Sequence, residues 1–159
     1  MSAALVHIGI TVTDIERVSE FYIRYFGFEK DYGAFFDDEY FEAQSALFKQ
    51  PAGVHADMQM IRSPNGVMLE LFRFSEEALI RETLSREMCF PDAEKGGAAE
   101  WRRTGYNHIA FRVDDLPAVC DRLKEDGIEF FMSPQIRSRG DGHWIYLRDP
   151  DGNLVELWD

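Results

Sequence analysis

Hydrophobic and polar positions alternate in two short stretches of this chain that nearly copy each other. In the first, Val6, Ile8, Ile10 and Val12 alternate with His7, Gly9 and Thr11; in the second, Ile109, Phe111 and Val113 alternate with His108, Ala110 and Arg112. A period of two predicts a strand with one aliphatic face, and it turns both histidines away from that face. After each strand the period lengthens. Val18, Phe21, Tyr22, Tyr25 and Phe26 fall at helical spacing behind Thr13 or Asp14 as cap, and Gly27 suits a left-handed C-terminal residue. In the second stretch Asp114 or Asp115 caps, Pro117 fits the first turn, Val119, Cys120 and Leu123 form the apolar stripe, and Gly127 stops it.

A second pair of segments repeats in the same order. Pro64-Asn65-Gly66-Val67-Met68-Leu69-Glu70-Leu71-Phe72 returns as Pro150-Asp151-Gly152-Asn153-Leu154-Val155-Glu156-Leu157-Trp158. Two motifs repeated in one order define an architecture built twice. Further strands are predicted over Phe28 to Tyr32, His55 to Arg62 and Val67 to Phe74, then Ile128 to Met132, His143 to Arg148 and Leu154 to Trp158. Each copy reads as βαβββ. The organisation expected is one domain of module 5–74, connector 75–104 and module 105–159. Within the connector Glu76 to Met88 is predicted as an amphipathic helix before Pro91, Gly96 and Gly97 loosen the chain, and Asp37 to Gln50 as a short helix inserted in the first copy.

Composition narrows the function. The 159 residues include 29 acidic and 17 basic side chains, a net charge of -12, which argues against a surface built to neutralise nucleic acid or anionic lipid. No apolar run reaches the length of a membrane span, and the amino terminus lacks a charged start and hydrophobic core like those of a secretion signal, so the expectation is a soluble cytoplasmic protein. Cys89 and Cys120 lie far apart without CxxC spacing, which suggests reduced, buried thiols rather than a disulfide or a thiolate metal site. Aromatic residues make up 14%, implying a rich core or an apolar cavity; Phe35, Phe36, Tyr40 and Phe41 are candidates for either.

The repeat puts one His at the start of each copy's first strand and one Glu in its last, so His7 and His108 are equivalent, as are Glu70 and Glu156. Two copies packed about a pseudo-twofold axis would bring two imidazoles and two carboxylates to one point. A single strand His is ordinarily structural and a single Glu solvated. Pairs at equivalent positions favour a metal, because a buried carboxylate flanked by Met68 and Phe72, or by Leu154 and Trp158, is costly without a cationic partner. Imidazole with carboxylate suits zinc, nickel, cobalt, iron or manganese, with positions left open for water or substrate.

Those residues resemble the vicinal oxygen chelate superfamily, the group of glyoxalase I, methylmalonyl-CoA epimerase and type I extradiol dioxygenases, over nearly the whole chain outside the connector. The resemblance implies an α+β fold of two βαβββ modules forming an open, cupped mixed sheet, with a divalent metal held by His7, Glu70, His108 and Glu156. The segment from His7-Ile8 through Phe21-Tyr22 to Phe26-Gly27-Phe28 looks like the glyoxalase I pattern, with Val18 where a small residue is expected. Gly105-Tyr106-Asn107-His108-Ile109-Ala110 is close to its second pattern, with Asn107 and Arg112 departing from it. Within the group, two His with two Glu is what bacterial glyoxalase I enzymes look like, whereas the epimerases usually carry Gln at the position of Glu70 and the dioxygenases use two His and one Glu.

The activity implied is that of a metal-dependent lyase or isomerase acting on a small α-oxo or thioester substrate through an enediolate, with Glu156 as first choice of catalytic base and Glu70 as its symmetric counterpart. The implied assembly is a homodimer, with a small molecule as its partner. An extradiol dioxygenase is the second reading: Ile145 to Gly152, running on to Glu156, resembles the end of that signature, including a Tyr ten residues before the Glu, and Tyr146 is weighed as cavity lining or catalytic group. The upstream catalytic His is missing, since His143 stands only three residues before Tyr146. A third reading is a binding or resistance protein without turnover. His55 is read as structural or solvated, and Arg102, Arg103, Arg137 and Arg139 as surface residues that could also hold an anionic arm.

Overall fold

The computed structural model describes residues 3–44, 47, 53–75, 105–131, 133–137 and 140–159. The chain divides into two compact units, Met1–Arg81 and Glu82–Asp159. In the first, β1 (His7–Thr11) leads into α1 (Ile15–Phe26), β2 (Glu29–Phe36), α2 (Asp38–Ala43), β3 (Ala56–Arg62) and β4 (Met68–Phe74). The second holds β5 (Ile109–Arg112), α3 (Leu116–Glu125), β6 (Gln135–Ile136), β7 (His143–Arg148) and β8 (Leu154–Trp158). Each unit carries a four-stranded mixed sheet, ordered β1-β4-β3-β2 and β5-β8-β7-β6. In both, the outer first strand runs parallel to the last strand while the remaining neighbours are antiparallel. The sequence repeat is therefore a topological repeat.

Local chemistry sets the elements. Asp14 caps α1 by accepting from the Arg17 N–H, and Gly27, at φ 69°, takes the left-handed position that closes it. Asp115 caps α3 by accepting from the Ala118 N–H, with Pro117 in the first turn. Of the two caps considered for each helix, the second acts. Val18, Phe21 and Tyr22 of α1 are buried, and the helix lies across β2, β3 and β4, whose Ile61, Leu69 and Leu71 are buried too. At about 1.5–3 kcal/mol for each large apolar side chain removed from water, this face holds the helix to its sheet. The second unit's core is Leu116, Cys120, Leu123, Ile145, Leu147, Val155 and Leu157.

Three expectations need correction. The strand predicted over Phe28 to Tyr32 continues to Phe36 through a register shift between Lys30 and Gly33. Gly33, just past the expected end, is part of an edge irregularity, where a Cβ would come within 3.1 Å of the Met58 carbonyl oxygen. The strand predicted over Ile128 to Met132 is, in the described residues, a single bridge from Phe130 to Leu147; pairing resumes at Gln135–Ile136 in a different register. The bend comes at Ser133-Pro134, where proline cannot donate to a ladder. Finally, the short helix expected over 37–50 breaks at Gln44: α2, capped by Asp37, ends at Ala43, Leu47 is helical again, and residues 45, 46 and 48–50 lie outside the described residues. The predicted helix over Glu76 to Met88 lies outside the described residues, as do Cys89, Arg102, Arg103 and Arg139. Among the described residues no helix is long and apolar enough to cross a membrane.

Candidate metal centre

Pleating decides which side chains share a face. Along β4 Leu69 and Leu71 are buried toward α1, so Met68, Glu70 and Phe72 project from the other face. Gly9 of β1 lies beside Glu70 on one side and Met60 of β3 on the other. His7, two residues before Gly9, shares that face, and its Nε2 stands 3.5 Å from Glu70 Oε2. The imidazole is about half exposed, whereas the carboxylate is only 20% exposed among methionines and Phe72. Gly9 flanks the carboxylate, and a Cβ there would meet Glu70 Oε2 at 3.5 Å, an ordinary contact that Ala110 at the matched position of the second unit is suited to make.

The second unit repeats the arrangement with different trimmings. Glu156 of β8 lies between Ala110 of β5 and Tyr146 of β7, and His108 Nε2 stands 3.1 Å from Glu156 Oε2, both side chains 22% exposed. The other ring nitrogen of His108, Nδ1, is 2.6 Å from Asn107 Oδ1. With Nδ1–H donating to that amide oxygen, the Nε2 lone pair is left for a ligand, as outer-shell partners of metal-binding histidines usually arrange. The Tyr146 ring meets the His108 ring edge to face at 5.3 Å, and its hydroxyl donates to Glu156. Burial first, then the neighbouring Glu156 charge and that hydrogen bond, push the Tyr146 hydroxyl up to about 12.

The structure thus pairs His7 with Glu70 and His108 with Glu156, one pair in each unit. Among the described residues no group of three or more His, Cys, Asp or Glu side chains comes together within either unit. An imidazole nitrogen facing a partly buried carboxylate oxygen, twice over, is a donor set that fits a divalent transition metal. His143 is a different matter. Strand alternation turns it to the face opposite Tyr146, where Nδ1 lies 3.7 Å from Asp159 Oδ2. His55 is exposed beside Phe35, its ring 5.7 Å away, in keeping with a structural or solvated role.

Sequence reasoning treated Asn107 only as a departure from a pattern and did not single out Trp158 as more than a flank. The repeat itself held the missing signal. At matched positions the first unit has Val6, Met60 and Thr11 where the second has Asn107, Tyr146 and Arg112. Phe35 and Phe36, read together, separate: Phe35 is 62% exposed, while Phe36 packs with Tyr40, Phe41 and Phe72 on the Glu70 face.

Two mixed sheets of one topology, each presenting a His–Glu pair, define a duplicated βαβββ protein. The chain belongs to the Glyoxalase/Bleomycin resistance protein/Dioxygenase superfamily, whose model matches residues 4–157. It is 39% identical over 66 residues to a probable lactoylglutathione lyase of Vibrio cholerae, a match spanning 42% of this chain and 43% of that protein, less than half its length. With a lactoylglutathione lyase of Pseudomonas putida it shares 28% identity over 158 residues, 95% of this chain and 82% of the relative. Among solved structures, a glyoxalase family protein from Bacillus cereus superposes with a TM-score of 0.73 at 18% identity, covering 99% of this chain and 94% of the other. The fosfomycin resistance protein FosX of Listeria monocytogenes, in a mutant form complexed with Mn(II) and 1S,2S-dihydroxypropylphosphonic acid, superposes with a TM-score of 0.59 at 21% identity over 99% and 90%. These structural likenesses establish the fold.

Proposed function

We propose that this chain is a divalent-metal-dependent lyase or isomerase of the glyoxalase I type, moving a proton at the carbon beside a carbonyl in a small α-oxo or thioester substrate. The observation that carries the reading is the duplicated pair: His7 with Glu70 at 3.5 Å and His108 with Glu156 at 3.1 Å. These four are the proposed ligands, for nickel, zinc, cobalt, iron or manganese. A bound divalent ion supplies Lewis-acid stabilisation of the negative charge that grows on the substrate oxygens.

The chain's own groups do the rest. Glu156 is the proposed base, because the Tyr146 hydroxyl fixes its orientation and leaves a carboxylate oxygen for the incoming proton. Glu70 has Met60 in the place of that tyrosine and no hydroxyl at that position to orient it, which suits the lesser role of symmetric counterpart. Asn107 holds the His108 ring. The relatives named lactoylglutathione lyase support this class, and the Mn(II) complex of FosX supports a metal in a protein of the same fold. A homodimer is the proposed assembly, to be read by sedimentation equilibrium. The second reading, a ring-cleaving dioxygenase, draws on Tyr146 lying beside both Glu156 and His108; the opposite-facing His143 weighs against it.

The test incubates anaerobic, metal-loaded protein with α-oxo hemithioacetals and acyl thioesters in heavy water, and iron-loaded aerobic protein with catechols. The expected result is exchange of the α-hydrogen without oxygen, lost in Glu156→Gln and reduced less in Glu70→Gln. Ring cleavage with oxygen uptake and no exchange would overturn the assignment.

A further inference from the structure

Because the chain is built twice, one unit serves as the physical control for the other. Around Glu70 the face of the first sheet is apolar, with Met58, Met60, Met68 and Phe72 nearest in the register and Thr11 opposite Phe72; the cation on that face, Arg62 opposite Met68, is neutralised by Asp31. The same face of the second sheet carries a cation that no carboxylate among the described residues neutralises. Arg112 occupies the place of Thr11, opposite Trp158, and its guanidinium carbon lies 5.6 Å from the centre of the indole.

The surroundings of Arg112 set it apart from the other arginines. Arg62 and Arg73 pair with Asp31 and Asp57. Arg137, which packs on the same indole at 4.7 Å, faces Asp141 and donates to the Asp159 carbonyl. Arg148 is buried and donates to the Gly152 carbonyl. Among the described residues Arg112 has no hydrogen-bond or ion-pair partner, though the chain carries a net charge of -12. A cation–π approach attracts the guanidinium by its charge and uses none of its N–H groups, and two of those in parallel recognise a planar or tetrahedral oxyanion. The indole also limits the rotamers open to the side chain, so less entropy is lost when an anion docks. Arg112 follows Ala110, the neighbour of Glu156, by two residues, about 7 Å along the strand.

We propose that Arg112, held on Trp158, is an oxyanion-binding residue that selects substrates carrying a carboxylate or phosphoryl group a short arm away from the reacting carbon. The inference rests on the reading of Glu156 as part of the reactive centre, and it deepens that reading by naming a substrate class.

Its test uses the full-length, metal-free protein and follows arginine Nε–H resonances during titration with inorganic phosphate and, separately, with succinate, each against sodium chloride of equal ionic strength. The Arg112 signal, assigned by its loss in Arg112→Gln, is expected to move saturably with at least one anion while that of Arg73 stays still; the anion that moves it distinguishes a phosphoryl from a carboxylate arm. In Arg112→Lys, which keeps the charge and loses the fork, affinity read from the Trp158 indole N–H is expected to fall roughly tenfold. His108→Gln is expected to leave the anion response intact, so failure of metal binding and failure of anion recognition are separately visible. No saturable shift with either anion, an equal shift at Arg73, unchanged affinity in Arg112→Lys, or loss of the response in His108→Gln would overturn the proposal.

Discussion

Removing the Asp149 carboxylate should loosen the hairpin that sets Glu156 against Tyr146. Asp149, 4% exposed, closes the turn between β7 and β8. Its Oδ1 accepts from the N–H groups of Asp151 at 3.0 Å and Asn153 at 2.8 Å, and its Oδ2 from the Asn153 side-chain amide at 2.8 Å. Hydrogen bonds to a charged group are worth about 1.5–3 kcal/mol each, but the turn residues are partly exposed and water can satisfy some of the freed donors. We therefore expect Asp149→Ala to cost about 3 kcal/mol, a large share of the roughly 5–15 kcal/mol that stabilises a typical domain. For a chain of this size that is a fall of about 10 °C in midpoint temperature. Asp149→Asn should be mild, about 1 kcal/mol, because its amide oxygen can keep both backbone bonds while the Asn153 amide turns to accept. Urea unfolding measures both, and amide exchange along β7 and β8 shows whether the loss is local. An alanine variant within about 0.5 kcal/mol of the parent, or an asparagine variant as poor as the alanine, would refute this account of the turn.

Other outcomes follow from single residues. Tyr146 should ionise with a midpoint of about 12 in the ultraviolet titration; its raised pKa adds stability that is whole below the ordinary pH 10 and is lost as pH rises to about 12. Glu156→Gln should lower that midpoint only partway, since burial is the larger cause. Cys120, 2% exposed and with its thiol pushed up by burial, should react with a disulfide reagent only as fast as the fold opens, measured in a Cys89→Ala background. Nickel or zinc should raise the midpoint temperature at one ion per chain, by an amount equivalent to about 2.7 kcal/mol at a hundredfold excess over Kd, and His7→Gln or His108→Gln should each abolish the rise. Ser19 is fully buried with no partner for its hydroxyl among the described residues, so Ser19→Ala should be neutral or stabilising by about 1 kcal/mol in urea unfolding.

Much of this protein was legible in its sequence because the informative signals are local and occur twice. The periodicity of Val6 to Val12 and Ile109 to Val113, the aspartate caps and the left-handed Gly27 each depend on a few neighbouring residues, and duplication turned weak signals into a topology. The repeat also picked out His7, Glu70, His108 and Glu156 as equivalent pairs. Edge strands were harder: β2 runs past Gly33 and β6 resumes after Pro134 because their extent is set by pairing with β3 and β7, which is not local.

Differences between the two His–Glu pairs depended on cross-strand register, which the sequence does not spell out. Met60 faces Glu70 and Tyr146 faces Glu156 only once β3 and β7 are aligned with β4 and β8, and a slip of one residue would have sent every one of these side chains to the opposite face. Phe35 and Phe36 part company by the same alternation. Arg112 lies over Trp158 because parallel pairing of β5 with β8 brings together residues 46 positions apart. Local sequence determined what each strand and helix would be, since caps and periodicity act over a few residues; the tertiary structure decided which side chain stands beside each carboxylate, since that is fixed by hydrogen-bonded register between distant segments.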